Sequence, residues 1–260
     1  MKNGKIFTAI GFILLLMSVS TVPAAALELG ARAYFWFPDL QTSDVKTVKD
    51  GVEGSDINVK DMLGVGNKAT FAVEAYGGVG KHHLSFAYTP FGYSDSAVLS
   101  SALNFNGVTY AANTGVESEL RFSMFDLKYQ YDIINLENIL AGFSLGPIAQ
   151  LKFITGDFSI TASGPNLDQN RSFNSLLPMI GAGAHIGLIA NFLEMRAQVT
   201  GGGYGSGNYS IEALADISAT PFPFVDINAG YKMVKIAMDV NDYVMDSLFT
   251  GPYLALTVGF

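Results

Sequence analysis

The sequence predicts an all-β fold, a closed antiparallel β-barrel whose strands cross a membrane. First, beyond residue 26 there are repeated segments of about ten residues that alternate apolar with polar or small side chains, the period of a strand whose faces meet different surroundings. Second, long and short connections alternate between these segments. Third, the chain is 49% hydrophobic, yet no later apolar run approaches the roughly 20 residues that a spanning helix needs.

The amino-terminal segment has the three parts of a secretory signal peptide. Two lysines precede an apolar run from Ile6 to Val19, and small residues from Ala24 to Ala26 provide a cleavage sequence. The apolar run is shorter than a spanning helix, so we expect cleavage after Ala26 rather than a retained anchor. The expected organisation is a signal peptide over residues 1–26 and one barrel domain over residues 27–260.

Charge and cysteine content exclude several classes of partner. The whole chain has a net charge of −8, and removing the signal peptide removes two lysines and no acid, which leaves 13 basic and 23 acidic residues, a net charge of −10. Such a chain has no electrostatic basis for binding nucleic acid. Because it has no cysteine, neither a disulfide framework nor lipidation near the cleavage point is expected. No motif indicates a cofactor.

Ten strands can be placed along the barrel domain, and none carries a charge in the interior of its apolar face. In the first strand, Leu27 to Phe37, the odd positions are apolar and the even ones include Glu28 and Arg32. The other nine lie near residues 70–77, 83–89, 125–131, 143–153, 176–186, 193–199, 211–218, 225–233 and 252–260. Eight or twelve strands remain possible, because weakly alternating segments can be miscounted.

Two long connections are expected at the outer end of the barrel. Residues 39–68 are polar and too numerous for a hairpin turn, which indicates an outward-facing loop. Within residues 92–119, Asn106-Gly107 lies between Phe105 and Val108, the strongest two-residue hairpin signal. We expect this second connection to be a protruding β-ribbon.

The inward strand faces predict a network of charged residues in the lumen. By strand parity it comprises Glu28, Arg32, Glu74, Asp126, Lys128, Lys152, Glu194, Arg196, Glu212, Asp216, Asp226 and Lys232. A ten-stranded barrel is narrow, and unpaired buried charges are unfavourable, so these groups should pair. The network is then either a salt-bridged plug or the lining of a slender path for ions or small solutes.

Three residues near the first short turn have the side chains of a hydrolase. If the turn centres on Val79-Gly80, Glu74 and Ser85 become cross-strand neighbours, with His83 on the same face, and such a set can activate a nucleophile. They lie at the short-turn end, however, away from the leaflet where an outer lipid substrate would be. We therefore expect luminal polar residues and no enzyme.

Two further polar sets have ordinary explanations. His185 and Glu194 flank another short turn and should hydrogen-bond across it as part of the barrel lining. Acidic residues between Asp239 and Asp246 offer oxygen ligands suited to calcium, but their spacing matches no closed calcium loop. We expect a solvated acidic loop and no metal site.

The carboxy-terminal strand has one apolar face, formed by Leu254, Leu256, Val258 and Phe260. Its pattern Gly251-Pro252-Tyr253-Leu254, then Val258-Gly259-Phe260, resembles that of small proteobacterial outer-membrane barrels of the OmpA/OmpW-like group. The stretch Asp56-Ile57-Asn58-Val59-Lys60-Asp61 followed by Leu63-Gly64 is similar to first loops in uncharacterised members.

This resemblance implies the outer membrane of a Gram-negative bacterium, with both termini periplasmic. Lipid and lipopolysaccharide would surround the barrel. It also implies an assembly signal, read by the barrel-assembly machinery, in Tyr253, Leu254, Leu256, Val258 and Phe260. No oligomeric state follows from the sequence.

For function, the leading hypothesis is a structural or narrow channel-forming, porin-like barrel for ions or small solutes. The alternative is a surface-loop binding or adhesion protein, and an outer-leaflet lipid hydrolase is the least favoured.

Overall fold

The computed structural model describes residues 27–64, 66–136, 142–164, 166–189 and 192–260. The predicted signal peptide, residues 1–26, lies outside the described residues. Within the described ranges, no helix has the length and apolarity to cross a membrane.

Ten antiparallel strands form a closed barrel, as predicted. They are β1 (Leu27–Trp36), β5 (Thr70–Val79), β6 (His82–Val98), β9 (Gly115–Tyr131), β11 (Phe143–Ala162), β12 (Asp168–Ile189), β13 (Leu193–Tyr204), β14 (Asn208–Phe222), β15 (Val225–Val240) and β16 (Tyr243–Gly259). The remaining elements are β2 (Asp39–Lys49), β3 (Val52–Glu53), β4 (Ile57–Asn58), α1 (Val59–Leu63), β7 (Leu103–Phe105), β8 (Val108–Tyr110) and β10 (Ile134–Asn135).

The first and last barrel strands pair with each other and close the sheet. The β1–β16 ladder runs from Gly30 opposite Gly259 to Trp36 opposite Tyr253, with Ala33 opposite Leu256. Each remaining barrel strand pairs with its neighbours in chain order around the ring. Closure removes the exposed edges that would otherwise present unpaired backbone groups.

The outer wall is apolar over a height that suits a membrane. On β12, the outward positions from Leu176 to Leu188 are apolar, which is twelve steps of about 3.3 Å, or about 40 Å along the strand. At a tilt of about 45°, this belt is about 28 Å tall, close to the roughly 25 Å of transmembrane barrels. Leu151 and Ile227 are 45% and 52% exposed on the same outer surface.

The two ends of the barrel differ. The short-turn end carries Leu27 and Phe260, and the opposite end, where strands extend beyond the apolar belt, is called here the long-hairpin end. There β6 and β9 have 17 residues each, β11 has 20 and β12 has 22. These lengths exceed the 9–11 residues, approximately, that a tilted strand needs to cross a membrane.

Residues 39–68 are more ordered than an outward-facing loop. After Pro38, β2 continues beside β16, with Val45 opposite Met245, and after a register shift next to Leu40 its buried positions alternate again at Ser43, Val45 and Thr47. The chain then folds back through β4 into α1. The Asn58 side chain accepts the Asp61 N–H (2.8 Å) at the start of α1, and Gly64 ends it at φ 73°.

The Asn106-Gly107 hairpin forms as predicted, but it does not protrude. Both turn residues have the positive φ that a tight hairpin turn requires, 51° and 77°. The hairpin, called the lid hairpin (Leu103–Tyr110), turns inward over the mouth of the barrel because Leu103, Phe105 and Tyr110 are apolar enough to be buried there, with at most 1% exposure.

Polar contacts attach the lid hairpin to both sides of the mouth. The Asn106 N–H donates to Thr47 Oγ1 (2.8 Å) on β2, and the Tyr110 hydroxyl donates to the Ile160 carbonyl (3.0 Å) on β11. Burial of its side chain between the lid hairpin and the barrel raises the pKa of Tyr110 to about 12. The hairpin therefore bridges β2 and β11 across the opening.

Below the lid hairpin, apolar side chains fill the barrel interior. This apolar plug comprises Trp36, Phe91, Phe122, Met124, Ile154, Phe173, Leu177, Val234 and Phe249. The rings of Phe91 and Phe122 stack at 4.5 Å, and that of Phe249 lies 5.2 Å from Phe91. Inward positions thus change from polar to apolar along single strands, so that the long-hairpin half has a hydrophobic core.

Substituting Phe105 with alanine should release the lid hairpin. A buried phenylalanine truncated to alanine destabilises its surroundings by about 3–5 kcal/mol. We expect faster limited proteolysis within residues 99–114 of the folded barrel, measured by mass spectrometry. The control is Val52→Ala, at a side chain that is 68% exposed, which should leave the rate unchanged. Equal cleavage rates in both variants would contradict the lid arrangement.

Candidate functional site

The polar half of the lumen is the candidate functional site. A cavity of about 470 Å³, called the vestibule, lies at the short-turn end and is lined by residues that include Glu28, Arg32, His83 and Glu194. Side-chain exposure falls from 52% at Glu28 to 12% at Arg32 and 0% at Lys152. The vestibule is therefore open to solvent at the short-turn end and narrows inward.

The structure places all twelve charged residues of the sequence-based network on the inner wall. Glu28, Glu194 and Asp226 line the mouth of the vestibule. The others form a layer of ion pairs further in: Arg32, Glu74, Asp126, Lys128, Lys152, Arg196, Glu212, Asp216 and Lys232. This set is called the ion-pair layer.

Glu212 on β14 is the centre of the ion-pair layer. Its carboxylate lies 2.7 Å from Lys128 Nζ on β9, 2.8 Å from Lys152 Nζ on β11 and 3.6 Å from Lys232 Nζ on β15. Lys152 also contacts Asp126 at 2.5 Å. Because these strands come from different parts of the ring, the cluster ties opposite walls together across the lumen.

Neutral side chains complete the hydrogen bonds of this cluster. The Gln150 amide donates to Asp126 (2.7 Å), and the Thr200 hydroxyl donates to the Gln150 side-chain oxygen (2.6 Å). Sequence reasoning listed only charged residues and missed these two. Their inward parity on β11 and β13 was the signal that could have found them.

Two arginines lie beside the Glu212 cluster, each paired with a carboxylate. Arg32 donates to Glu74 (3.1 Å), which also accepts a hydrogen bond from the Tyr34 hydroxyl. Arg196 pairs with Asp216 (2.6 Å). The Tyr253 hydroxyl also donates to Asp216, so this residue of the expected assembly signal has its side chain inside the barrel.

Histidines and acids form the rim of the vestibule. His83 lies 3.0 Å from Asp132 and 3.8 Å from Glu28. His185 makes the contact expected from the sequence, 2.9 Å from Glu194. Asp132 was not anticipated, because the sequence placed it in a turn, whereas its side chain is buried.

The proposed Ser–His–Glu set does not assemble. The turn centres on Gly80-Lys81, one residue later than expected, which shifts the pairing by two, so that Glu74 lies opposite Ala87 and Ser85 opposite Tyr76. Glu74 is held by Arg32 and Tyr34, and His83 contacts Asp132. The expectation that Glu74 and Ser85 are cross-strand neighbours is therefore wrong.

The acidic connection between Asp239 and Asp246 is a tight turn. Asn241 and Asp242, both at positive φ, join β15 to β16. Asp242 pairs with Arg171 at 3.0 Å, and Asp246 pairs with Lys235. Among the residues that the structure describes, no group of three His, Cys, Asp or Glu side chains is arranged to hold a metal.

No family model and no curated protein matches the sequence. Solved structures of outer-membrane barrels are similar in overall shape. The translocator domain of the autotransporter NalP from Neisseria meningitidis aligns over 98% of this chain and 95% of its own, at 11% identity and a TM-score of 0.42. A major outer membrane protein from Thermus thermophilus aligns over 90% and 100%, at 14% identity and a TM-score of 0.39.

The attachment invasion locus protein Ail of Yersinia pestis, solved with the heparin analogue sucrose octasulfate, is also similar. It aligns over 88% of this chain and 97% of its own, at 14% identity and a TM-score of 0.34. At these scores the likenesses carry no functional argument. The closed ten-strand ring and its apolar outer wall define the fold.

Glu212→Gln should destabilise the barrel strongly. Removing this carboxylate leaves Lys128 and Lys232 without their ion-pair partner and Lys152, which is 0% exposed, with Asp126 alone. Breaking a buried ion pair in this way has an effect of about 3–5 kcal/mol. Urea unfolding can be followed by the emission of Trp36, the single tryptophan, which is 2% exposed. The exposed Glu117→Gln is the control and should change the unfolding free energy by less than about 0.5 kcal/mol. Equal midpoints would argue against a structural role for the ion-pair layer.

Proposed function

We propose that the protein is a bacterial outer-membrane barrel with a structural role, that it does not conduct in this folded form, and that it displays an ordered surface at its long-hairpin end. The main support for a non-conducting barrel is that side chains fill the lumen at several successive levels along its axis. Lys152 and Glu212 in the ion-pair layer are 0% and 3% exposed, and the apolar plug and lid hairpin follow above them.

The cavity dimensions support a closed lumen. Further in than the vestibule of about 470 Å³, a second cavity of about 30 Å³ is lined by residues that include Trp36, Lys128 and Lys232. A space of this size holds about one water molecule. An ion passing further would have to separate buried charge pairs and then displace packed aromatic rings, both of which are unfavourable.

The narrow-channel hypothesis is supported by the charged side chains of the ion-pair layer, which could line a path for ions. It requires a second conformation in which the ion-pair layer opens and the plug moves aside. The closed packing favours the structural role over this channel.

A surface-binding role is the second candidate. The lid hairpin is tied to β2 and β11, and at the same end of the barrel Val52 on β3 and Val98 at the end of β6 are 68% and 69% exposed. An ordered surface loses little conformational entropy when a partner binds, which favours recognition. This role is compatible with a closed lumen.

The remaining assignments belong to the same proposal. Leu27 and Phe260 lie at the short-turn end, which we place on the periplasmic side, with lipopolysaccharide around the long-hairpin half. The outward residues Leu254, Leu256, Val258 and Phe260 would be read by the barrel-assembly machinery. The protein is proposed to be no enzyme, since the one hydrolase-like set is split by the strand register.

Planar-bilayer recording tests the closed lumen. Folded protein, checked by the emission of the buried Trp36, should insert without producing conductance steps, because no continuous aqueous path crosses the plug. A known porin added to the same bilayer controls for the recording. Reproducible steps of one size from the folded protein would reject the closed form and return the narrow channel to first place.

A further inference from the structure

We propose that the vestibule binds a small zwitterion of the amino-acid class, with its carboxylate on an arginine floor and its ammonium at an acidic rim. This site goes beyond the structural role proposed above. Binding requires only that the vestibule is open at the short-turn end, so this proposal does not depend on whether the lumen conducts ions.

The floor of the vestibule, formed by Arg32 and Arg196, has N–H donors that are not used in hydrogen bonds between described residues. A guanidinium has five N–H donors. Arg32 uses Nε on Thr257 and Nη1 on Tyr34 and Glu74, while Arg196 uses Nε and Nη2 on Asp216. Among the contacts between described residues, Nη2 of Arg32 and Nη1 of Arg196 make no hydrogen bond, and both side chains line the cavity.

The charge of the inner lumen also calls for an anion. The ion-pair layer contains five cationic side chains, Arg32, Lys128, Lys152, Arg196 and Lys232. It contains four anionic ones, Glu74, Asp126, Glu212 and Asp216. Within this layer the cations exceed the anions by one, while Asp132, which also lines the vestibule, faces His83. A carboxylate between two planar guanidiniums satisfies both requirements, since it accepts paired hydrogen bonds from each.

The rim has the opposite character. Glu28, Glu194 and Asp226 line the mouth, and the only Lys or Arg side chains among the described residues lining the vestibule are those of the floor, Arg32, Lys128 and Arg196. Glu28 is 52% exposed and lies 3.8 Å from His83, while Asp226 accepts the Thr220 hydroxyl at 2.6 Å. An anion without a cationic group would meet repulsion here, whereas an ammonium group gains ion pairs.

Size and lining fit a small polar molecule. The volume of about 470 Å³ falls within the range of about 300–1,000 Å³ seen for small-molecule sites. The walls between floor and rim carry neutral hydrogen-bonding groups, including Ser85, Gln130 and Asn228. A short amino acid can therefore be solvated by protein along its whole length.

Binding can be measured by titration calorimetry on the folded barrel with γ-aminobutyrate as the probe, and with butyrate and butylammonium as its two halves. We expect saturable binding of one γ-aminobutyrate per chain, tighter than that of either half. Arg196→Lys keeps a positive charge beside Asp216 but loses the planar fork, and should weaken binding about tenfold or more. The matched control is Arg171→Lys, a partly exposed arginine at the long-hairpin end, which should bind as the parent does.

Glu28→Gln provides a second test at an exposed position where folding is not at risk. It should bring the affinity for γ-aminobutyrate close to that for butyrate. Absence of saturable binding, unchanged affinity in Arg196→Lys, or butyrate binding as tightly as γ-aminobutyrate would each overturn the proposal. Conductance of the same preparation is a separate readout, so failure here and failure of the closed lumen are distinguishable.

Discussion

The hydrogen-bond ladder between β1 and β16 is the constraint on which the rest of the structure depends. In hydrocarbon, unpaired backbone groups are strongly unfavourable, so a sheet can cross a membrane only when its first and last strands meet. Once they do, strand parity assigns every side chain either to the outside or to the lumen. Ala33 and Leu256 therefore face outward together, while Arg32 and Thr257 meet inside and hydrogen-bond at 2.7 Å.

The inner wall of the barrel then changes in character along the barrel axis and not from one side of the ring to the other. Near the short turns it lines the open, charged vestibule, in the middle it is the ion-pair layer centred on Glu212, and toward the long hairpins it packs like the core of a water-soluble domain. The ion-pair layer closes the lumen by charge pairing, and the apolar plug closes it by burying hydrophobic side chains. This division leaves a solvent-filled vestibule at one end and an ordered surface at the other, which are the two places where function can reside.

The sequence was sufficient for what depends on local periodicity, because alternation is a property of each strand alone. The opposite faces of Leu151 and Lys152 and the turn at Asn106-Gly107 are examples. It was insufficient where the answer depends on what lies across the lumen. The predicted strands near residues 83–89 and 176–186 stopped short of Phe91 and Phe173, whose rings meet other aromatic rings inside the barrel, and alternation does not show that Phe105 turns back over the mouth. The predicted pairing of β5 with β6 was wrong for a smaller reason. The turn is centred one residue later than expected, so Ser85 lies two positions away from the residue opposite Glu74.

The most direct test of closure is disulfide cross-linking between β1 and β16, since the chain has no cysteine of its own. The pair Ala33→Cys and Leu256→Cys lies directly opposite across the ladder and should form a cross-link under mild oxidation in the folded protein. The pair Ala33→Cys and Leu254→Cys is offset by two residues and should not, because diagonal neighbours are about 7–8 Å apart. Cross-linking of neither pair, or of both equally, would contradict a barrel closed in this register.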